Sequence, residues 1–191
     1  MEPVDRPFVP ADFVVPLGLE TERFRLEPLG PQHNEPDYAA WSSSVEHIHG
    51  TPGWEKSSWP DDRSLDDNLR DLQRHAGDFE QRTGFTYTVL DPATGDVIGC
   101  VYIYPDKSGE HDARVSSWVT VSRAELDVEL WRAVAGWLAG RVALRARRLR
   151  AARPRATRRR ALAGSRRDRG PRRRRSARPR APPPSRRAGR S

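Results

Sequence analysis

Ser122, Arg123 and Glu125 stand where an apolar run over residues 115–121 passes directly into a helical pattern. A helix start presents unpaired N–H groups and the positive end of the peptide dipole, so this corner suits a phosphate-bearing cofactor. Arg123 and Arg132 are the counter-charges nearby. A second reading needs no ligand. Ser122 and Glu125 have the S-x-x-E spacing of a capping box, in which the two side chains satisfy the helix-start donors themselves. A Glu125 carboxylate would also repel a diphosphate placed there. Both readings stay open on the sequence alone.

Other residues of chemical type are scattered. Tyr104, His111 and Asp112 are the candidate catalytic residues: His111 and Asp112 precede the last apolar run and have types that remove protons, with a solvated hairpin tip as the competing reading. His47 and His49, with Glu46 and Glu55 near them, are metal-ligand types. On a helix, however, H-x-H spacing turns the imidazoles to different faces, so no metal site is expected. Cys100 lies mid-run among apolar residues, as a buried inert thiol does. It is the only cysteine, which rules out an internal disulfide and suits a reducing compartment. Trp41, Trp54 and Trp59 either line an acceptor pocket or serve as packing.

Periodicity supplies the elements that position these residues. Residues 1–18 are Pro-rich and read as an extended arm, with Phe8, Phe13, Val14 and Val15 able to pack on the domain. Residues 19–30 read as one strand through Phe24, Leu26 and Leu29. Residues 36–49 read as a helix, with Tyr38, Trp41, Val45 and Ile48 on one side. A loop over 50–63 carries Trp54 and Trp59. Residues 64–82 form a second helix capped by Ser64 and Asp67, with Leu65, Leu69, Leu72, Ala76 and Phe79 as its stripe. Runs at 85–91 and 97–104 make a hairpin around the turn 92–95. A third strand over 113–121 enters a helix whose apolar side holds Leu130, Trp131, Val134, Ala135, Trp137 and Leu138. The class is α+β, an antiparallel meander with helices against it. No basic segment with an apolar core opens the chain, and no run approaches about 18 apolar residues, so neither signal peptide nor membrane partner is expected and a cytoplasmic location is the default.

Over roughly residues 17–140 this order and these residues resemble the GCN5-related N-acetyltransferase family, in the branch of ribosomal-protein and antibiotic acetyltransferases. The resemblance lies in Thr21-Glu22-Arg23-Phe24-Arg25-Leu26 at the opening, Val97-Ile98-Gly99 in the hairpin, and Trp118-Val119 followed by Arg123. It implies a mixed, mainly antiparallel sheet flanked by helices. It implies direct transfer of acetyl from acetyl-CoA, as co-substrate, to the amine of a small molecule or peptide. Trp118, Val119, Thr120 and Val121 would meet the pantetheine, and Arg123, Ala124 and Arg132 the diphosphate. The family's phosphate-loop glycines correspond to Leu126 and Val128, and its acidic residue early on that strand to Arg114. Glycine permits close backbone approach to a phosphate, which β-branched Val128 resists.

Residues 141–191 are a different polymer. They hold 22 Arg, one Asp and no Lys or Glu, a net +21 against −13 for the other 140 residues. Such a stretch buries no core and is expected to be a disordered tail. It reads as a non-specific nucleic-acid tail, as a membrane or ribosome tether, or as GC-rich DNA translated out of frame. The abrupt switch, at the point where the resembled fold demands more strands, favours the frameshift. The division expected is therefore an arm at 1–18, an acetyltransferase-like domain at 19–140 with its C-terminal strands missing or degraded, and the tail at 141–191. The alternative function is a weak or inactive domain whose tail binds nucleic acid.

Overall fold

Thr86 and Thr88 alternate with Phe85, Tyr87 and Val89, and Cys100 and Tyr102 with Val101 and Ile103, so the hairpin they form must be covered on both faces. A computed structural model describes residues 7–108, 110–141 and 150–151. Its strands run in sequence order across one sheet: β1 (Leu19–Glu20), β2 (Arg25–Pro28), β3 (Phe85–Leu90), β4 (Val97–Pro105), β5 (Ala113–Val119) and β6 (Arg150–Ala151). All neighbours are antiparallel except β5 and β6, which are parallel. Between β2 and β3 lie α1 (Asn34–Ser42), α2 (Val45–Gly50) and α3 (Leu65–Gln81). After β5 come a 3-10 segment, Val121–Leu126, and α4 (Asp127–Arg141). No helix among the described residues is long and apolar enough to cross a membrane.

The two faces carry two cores. On one, Leu126, Leu130, Val134 and Leu138 pack with Val89, Val101, Ile103 and Val119, joined by Phe8, Val9, Phe13 and Val15 of the arm. Phe8 stacks on Phe85 and the Tyr87 hydroxyl donates to the Pro16 carbonyl; Val14 is 84% exposed. On the other face, Trp41, Ile48 and Leu72 cover Cys100 and Trp118. A register shift pairs Leu90 with Val97 and Val89 with Gly99. The extra residue turns Val97 and Cys100 to the same side. A Cβ on Gly99 would lie 2.3 Å from the Trp118 carbonyl oxygen, so β4 and β5 come this close only with glycine there.

Several expected elements differ. The strand over 19–30 is two strands, because the Thr21 hydroxyl accepts from the Arg23 and Phe24 N–H groups and donates to the Phe24 carbonyl, closing a turn. The helix over 36–49 starts earlier and breaks at Ser43 and Ser44, where the Ser43 hydroxyl bonds back to the Ala40 carbonyl. The helix from 65 is capped by Ser64 and Asp67 as expected, reciprocally. Its buried face is nevertheless rotated: Leu65 is 38% exposed, while Asn68 and His75 are buried beside Leu72. The last strand ends at Val119. A strand parallel to β5, Arg150–Ala151, follows the last helix. The rest of the Arg-rich tail lies outside the described residues.

The buried polar face of α3 is satisfied. Asn68 accepts from the Trp41 indole at 3.0 Å and donates to Asp37 and to Asn34. Burial pushes the Asp37 carboxyl up to about 6, with the Asn68 bond opposing it. A carboxyl whose folded pKa lies above its unfolded value contributes stability that is complete below the unfolded value, near 3.8, and is lost as pH rises through about 6. Asp37→Asn is therefore expected to flatten the stability-versus-pH curve in that window. It should raise stability at pH 7 by the order of 2 kcal/mol relative to pH 4, read by urea unfolding at the two pH values.

Candidate active site

Main-chain groups of successive strand residues point alternately to the two neighbouring strands. The Thr120 N–H donates to the Ile98 carbonyl at 2.9 Å, so Ser116, Trp118 and Thr120 turn toward β4. Val115, Ser117 and Val119 turn to the outer edge. There, among the described residues, β6 pairs with Arg114 and Val115. The Ser117 carbonyl accepts from the Trp54 indole at 3.0 Å, which fixes its outward direction. The N–H groups of Ser117 and Val119 lie beyond the β6 pairing on the same edge. They are a row of donors of the kind that an extended ligand pairs with.

An aromatic wall stands beside this edge. Trp54 meets Tyr102 edge-on at 5.4 Å and Trp59 at 5.0 Å; Trp59 lies 5.9 Å from Trp118 and 6.0 Å from Trp41. The Trp118 indole donates to the Tyr102 hydroxyl, and burial pushes that hydroxyl well above its usual pKa. The three indoles named from the sequence thus come together with a fourth. The 50–63 loop is held on the sheet by area as well as by the Trp54 bond. A cleft opens where Trp54, Glu55 and Lys56 face Arg114 and Ser116.

The helix-start corner is organised differently from the capping-box expectation. The Ser122 hydroxyl meets the Thr120 hydroxyl at 3.1 Å, and Glu125 reaches Arg23, which also holds Glu129. Neither side chain caps the helix. The Val121 N–H is instead taken by the Ser44 hydroxyl at 3.1 Å, across 77 residues. Arg123 pairs with Asp91. The Ala93 and Thr94 N–H groups and that guanidinium hold the Asp91 carboxyl below the usual range. Leu126, in the place of a loop glycine, is buried in the core. Asp127 lies 3.2 Å from His47, and burial raises its carboxyl while His47 opposes the rise. Val121 is 55% exposed, Ala124 and Arg132 are exposed, and Trp118, Val119 and Thr120 are buried. The corner therefore gathers Glu125, Asp127 and Glu129 where an anion would sit.

The three candidate catalytic residues do not converge. The Tyr104 hydroxyl donates to Asp78 at 2.8 Å and lies 2.7 Å from His75 Nδ1, which also meets Thr86. Burial pushes that hydroxyl up to about 12. His111 lies 3.6 Å from Asp106, too long for a hydrogen bond, and Asp112 is exposed. No hydrogen bond joins Tyr104 to either. His49 meets the Trp59 carbonyl, so both histidines of the H-x-H pair tie elements together. No group of three His, Cys, Asp or Glu that could hold a metal occurs among the described residues. Cys100 is buried, and burial raises its thiol well above the usual value. The sequence reading missed Ser44, whose signal was three consecutive serines inside a helical pattern, and His75, which sits at helical spacing from Leu72 and Phe79 on a face taken as solvated.

No protein-family profile matches the sequence, and no curated protein does. Solved structures do match. A ribosomal-protein-S5-alanine acetyltransferase from Vibrio fischeri aligns at TM-score 0.50 and 16% identity, over 65% of this chain and 68% of that one. A microcin C7 self-immunity acetyltransferase, in complex with acetyl-CoA and AMP, aligns at 0.51 and 12%, over 66% and 67%. An acetyltransferase from Salmonella typhimurium that modifies the N-terminal serine of ribosomal protein L7/L12 aligns at 0.50 and 10%, over 64% and 67%. What the chain shares with them is the fold.

Ser44→Ala removes the partner of the Val121 N–H. It is expected to speed amide exchange at Val121 and to lower stability by about 1 kcal/mol, since water reaches the exposed loop. Hydrogen exchange with a denaturation curve reads both.

Proposed function

We propose that this chain, whose fold is that of the GCN5-related N-acetyltransferases, transfers an acetyl group from acetyl-CoA to an amine. The observation that carries the reading is the outer edge of β5, whose Ser117 and Val119 N–H groups point away from β4 and, among the described residues, lie beyond the β6 pairing and next to a cleft. We assign the reaction to residues 19–140.

The residues fit the two ends of the donor unequally. The pantetheine arm carries amides, and an exposed strand edge pairs with amides by main-chain hydrogen bonds. The Trp54 indole already marks that edge as a place where a donor reaches a carbonyl. The diphosphate finds no cradle of free N–H groups, because Ser44 takes Val121 N–H and Leu126 is committed to the core. Among the described residues, exposed Arg132 is the cation assigned to it. Acetyl-CoA supplies a thioester carbonyl that an amine can attack.

The chain's own groups then divide the work. An outward N–H of Ser117 or Val119 stabilises negative charge on the carbonyl oxygen as it develops. Trp54 and Trp59 exclude water from the strand edge. The amine enters through the cleft lined by Trp54, Lys56, Arg114 and Ser116. Tyr104 is a poor base, since its hydroxyl is already committed as a donor to Asp78.

Isothermal titration of the full chain with acetyl-CoA and with acetyl-pantetheine tests this reading. Both are expected to bind, with dissociation constants within about threefold of one another, because the diphosphate adds little. Failure of both to bind at about 1 mM, roughly 4 kcal/mol of binding free energy, would overturn it.

A further inference from the structure

The chain has two lysines, Lys56 and Lys107, and both are exposed. They differ in their distance from the donor edge. Trp54 ties the 50–63 loop to β5, its indole donating to the Ser117 carbonyl at 3.0 Å. Lys56 follows two residues later. The Ser57 N–H donates to the Trp54 carbonyl at 2.9 Å, so Lys56 sits inside a turn and stays close to that anchor. Lys56 also lines the cleft with Trp54 and Ser116. Lys107 lies in the connection after β4, whose last residue, Pro105, pairs with Ala113. Ala113 precedes Ser117 by four strand residues, roughly 13 Å.

We infer that Lys56 is a site of self-acetylation, the amine of this chain nearest to a thioester carbonyl held at the outward N–H of Ser117 or Val119. The inference rests on the transfer reading. A lysine carries its amine on a flexible four-carbon stem, and an amine held next to a carbonyl reacts as though highly concentrated. The neutral Lys56 Nζ attacks the thioester carbonyl carbon. A C–N bond forms as the C–S bond breaks, the sulfur of CoA leaves with the electron pair, and the proton lost by the nitrogen ends on that sulfur. The products are N-acetyl-lysine at position 56 and the free thiol of CoA, with no other reactant consumed.

The full chain is incubated with acetyl-CoA, and acetylation at each lysine is followed by peptide mass spectrometry. Lys56 is expected to gain the acetyl group at least about tenfold faster than Lys107. The rate per chain should not change when the protein is diluted, as transfer within one chain requires. The N-hydroxysuccinimide ester of acetic acid, which lacks the pantetheine arm, should modify the two lysines alike. Equal rates with acetyl-CoA, a rate per chain that falls on dilution, or the same preference with both reagents would each overturn the inference. Calorimetry on the same sample separates this outcome from failure of the transfer reading. Acetyl-CoA that binds while the two lysines react alike overturns self-acetylation and leaves transfer to an external amine standing, whereas absence of binding overturns both.

Discussion

A strand has two edges, and among the described residues β5 uses only one of them along its whole length. The even-numbered residues from Ser116 to Thr120 are committed to β4, while Ser117 and Val119 face outward beyond Arg114 and Val115, which pair with β6. That asymmetry follows from main-chain geometry and not from side-chain identity. The proposed donor edge therefore does not depend on the loop glycines of the resembled pattern, both of which are absent. Gly99 is the one residue the arrangement cannot exchange freely, since any Cβ there meets the backbone of β5.

The helix layer is fastened to this strand by polar ties made over long sequence distances. Trp54 bonds Ser117, Ser44 bonds Val121, and His47 meets Asp127. Each comes from the α1–α2 region or the loop after it, so the same segment that lines the cleft beside β5 also fills the helix-start corner. The exposed pairs of Arg23 with Glu125 and Glu129 add little stability, about 1 kcal/mol at most. Their consequence is electrostatic: they hold carboxylates where the helix dipole would otherwise favour an anion.

The hairpin, the last helix and the α+β class were legible because Phe85, Tyr87, Val89 and the Leu130, Val134, Leu138 stripe repeat at the periods their elements require. The capping at Ser64 was legible for the same local reason. What failed depended on partners remote in sequence. Ser122 and Glu125 have capping-box spacing, yet Arg23, about a hundred residues earlier, draws Glu125 away. The buried face of α3 was misjudged because Asn68 and His75 become core residues only once Trp41, Asp37, Thr86 and Tyr104 are placed around them. The cleft of Arg114, Lys56 and Glu55 joins a strand start to a loop some sixty residues earlier, a juxtaposition that no local pattern encodes.

The donor edge is the central claim, and residue-resolved amide exchange of the full chain with and without saturating acetyl-CoA addresses it directly. Slowed exchange at Ser117 and Val119, with Val121 unchanged because Ser44 already holds it, is the result expected. Protection confined to residues 121–126, or none at Ser117 and Val119, would contradict the account.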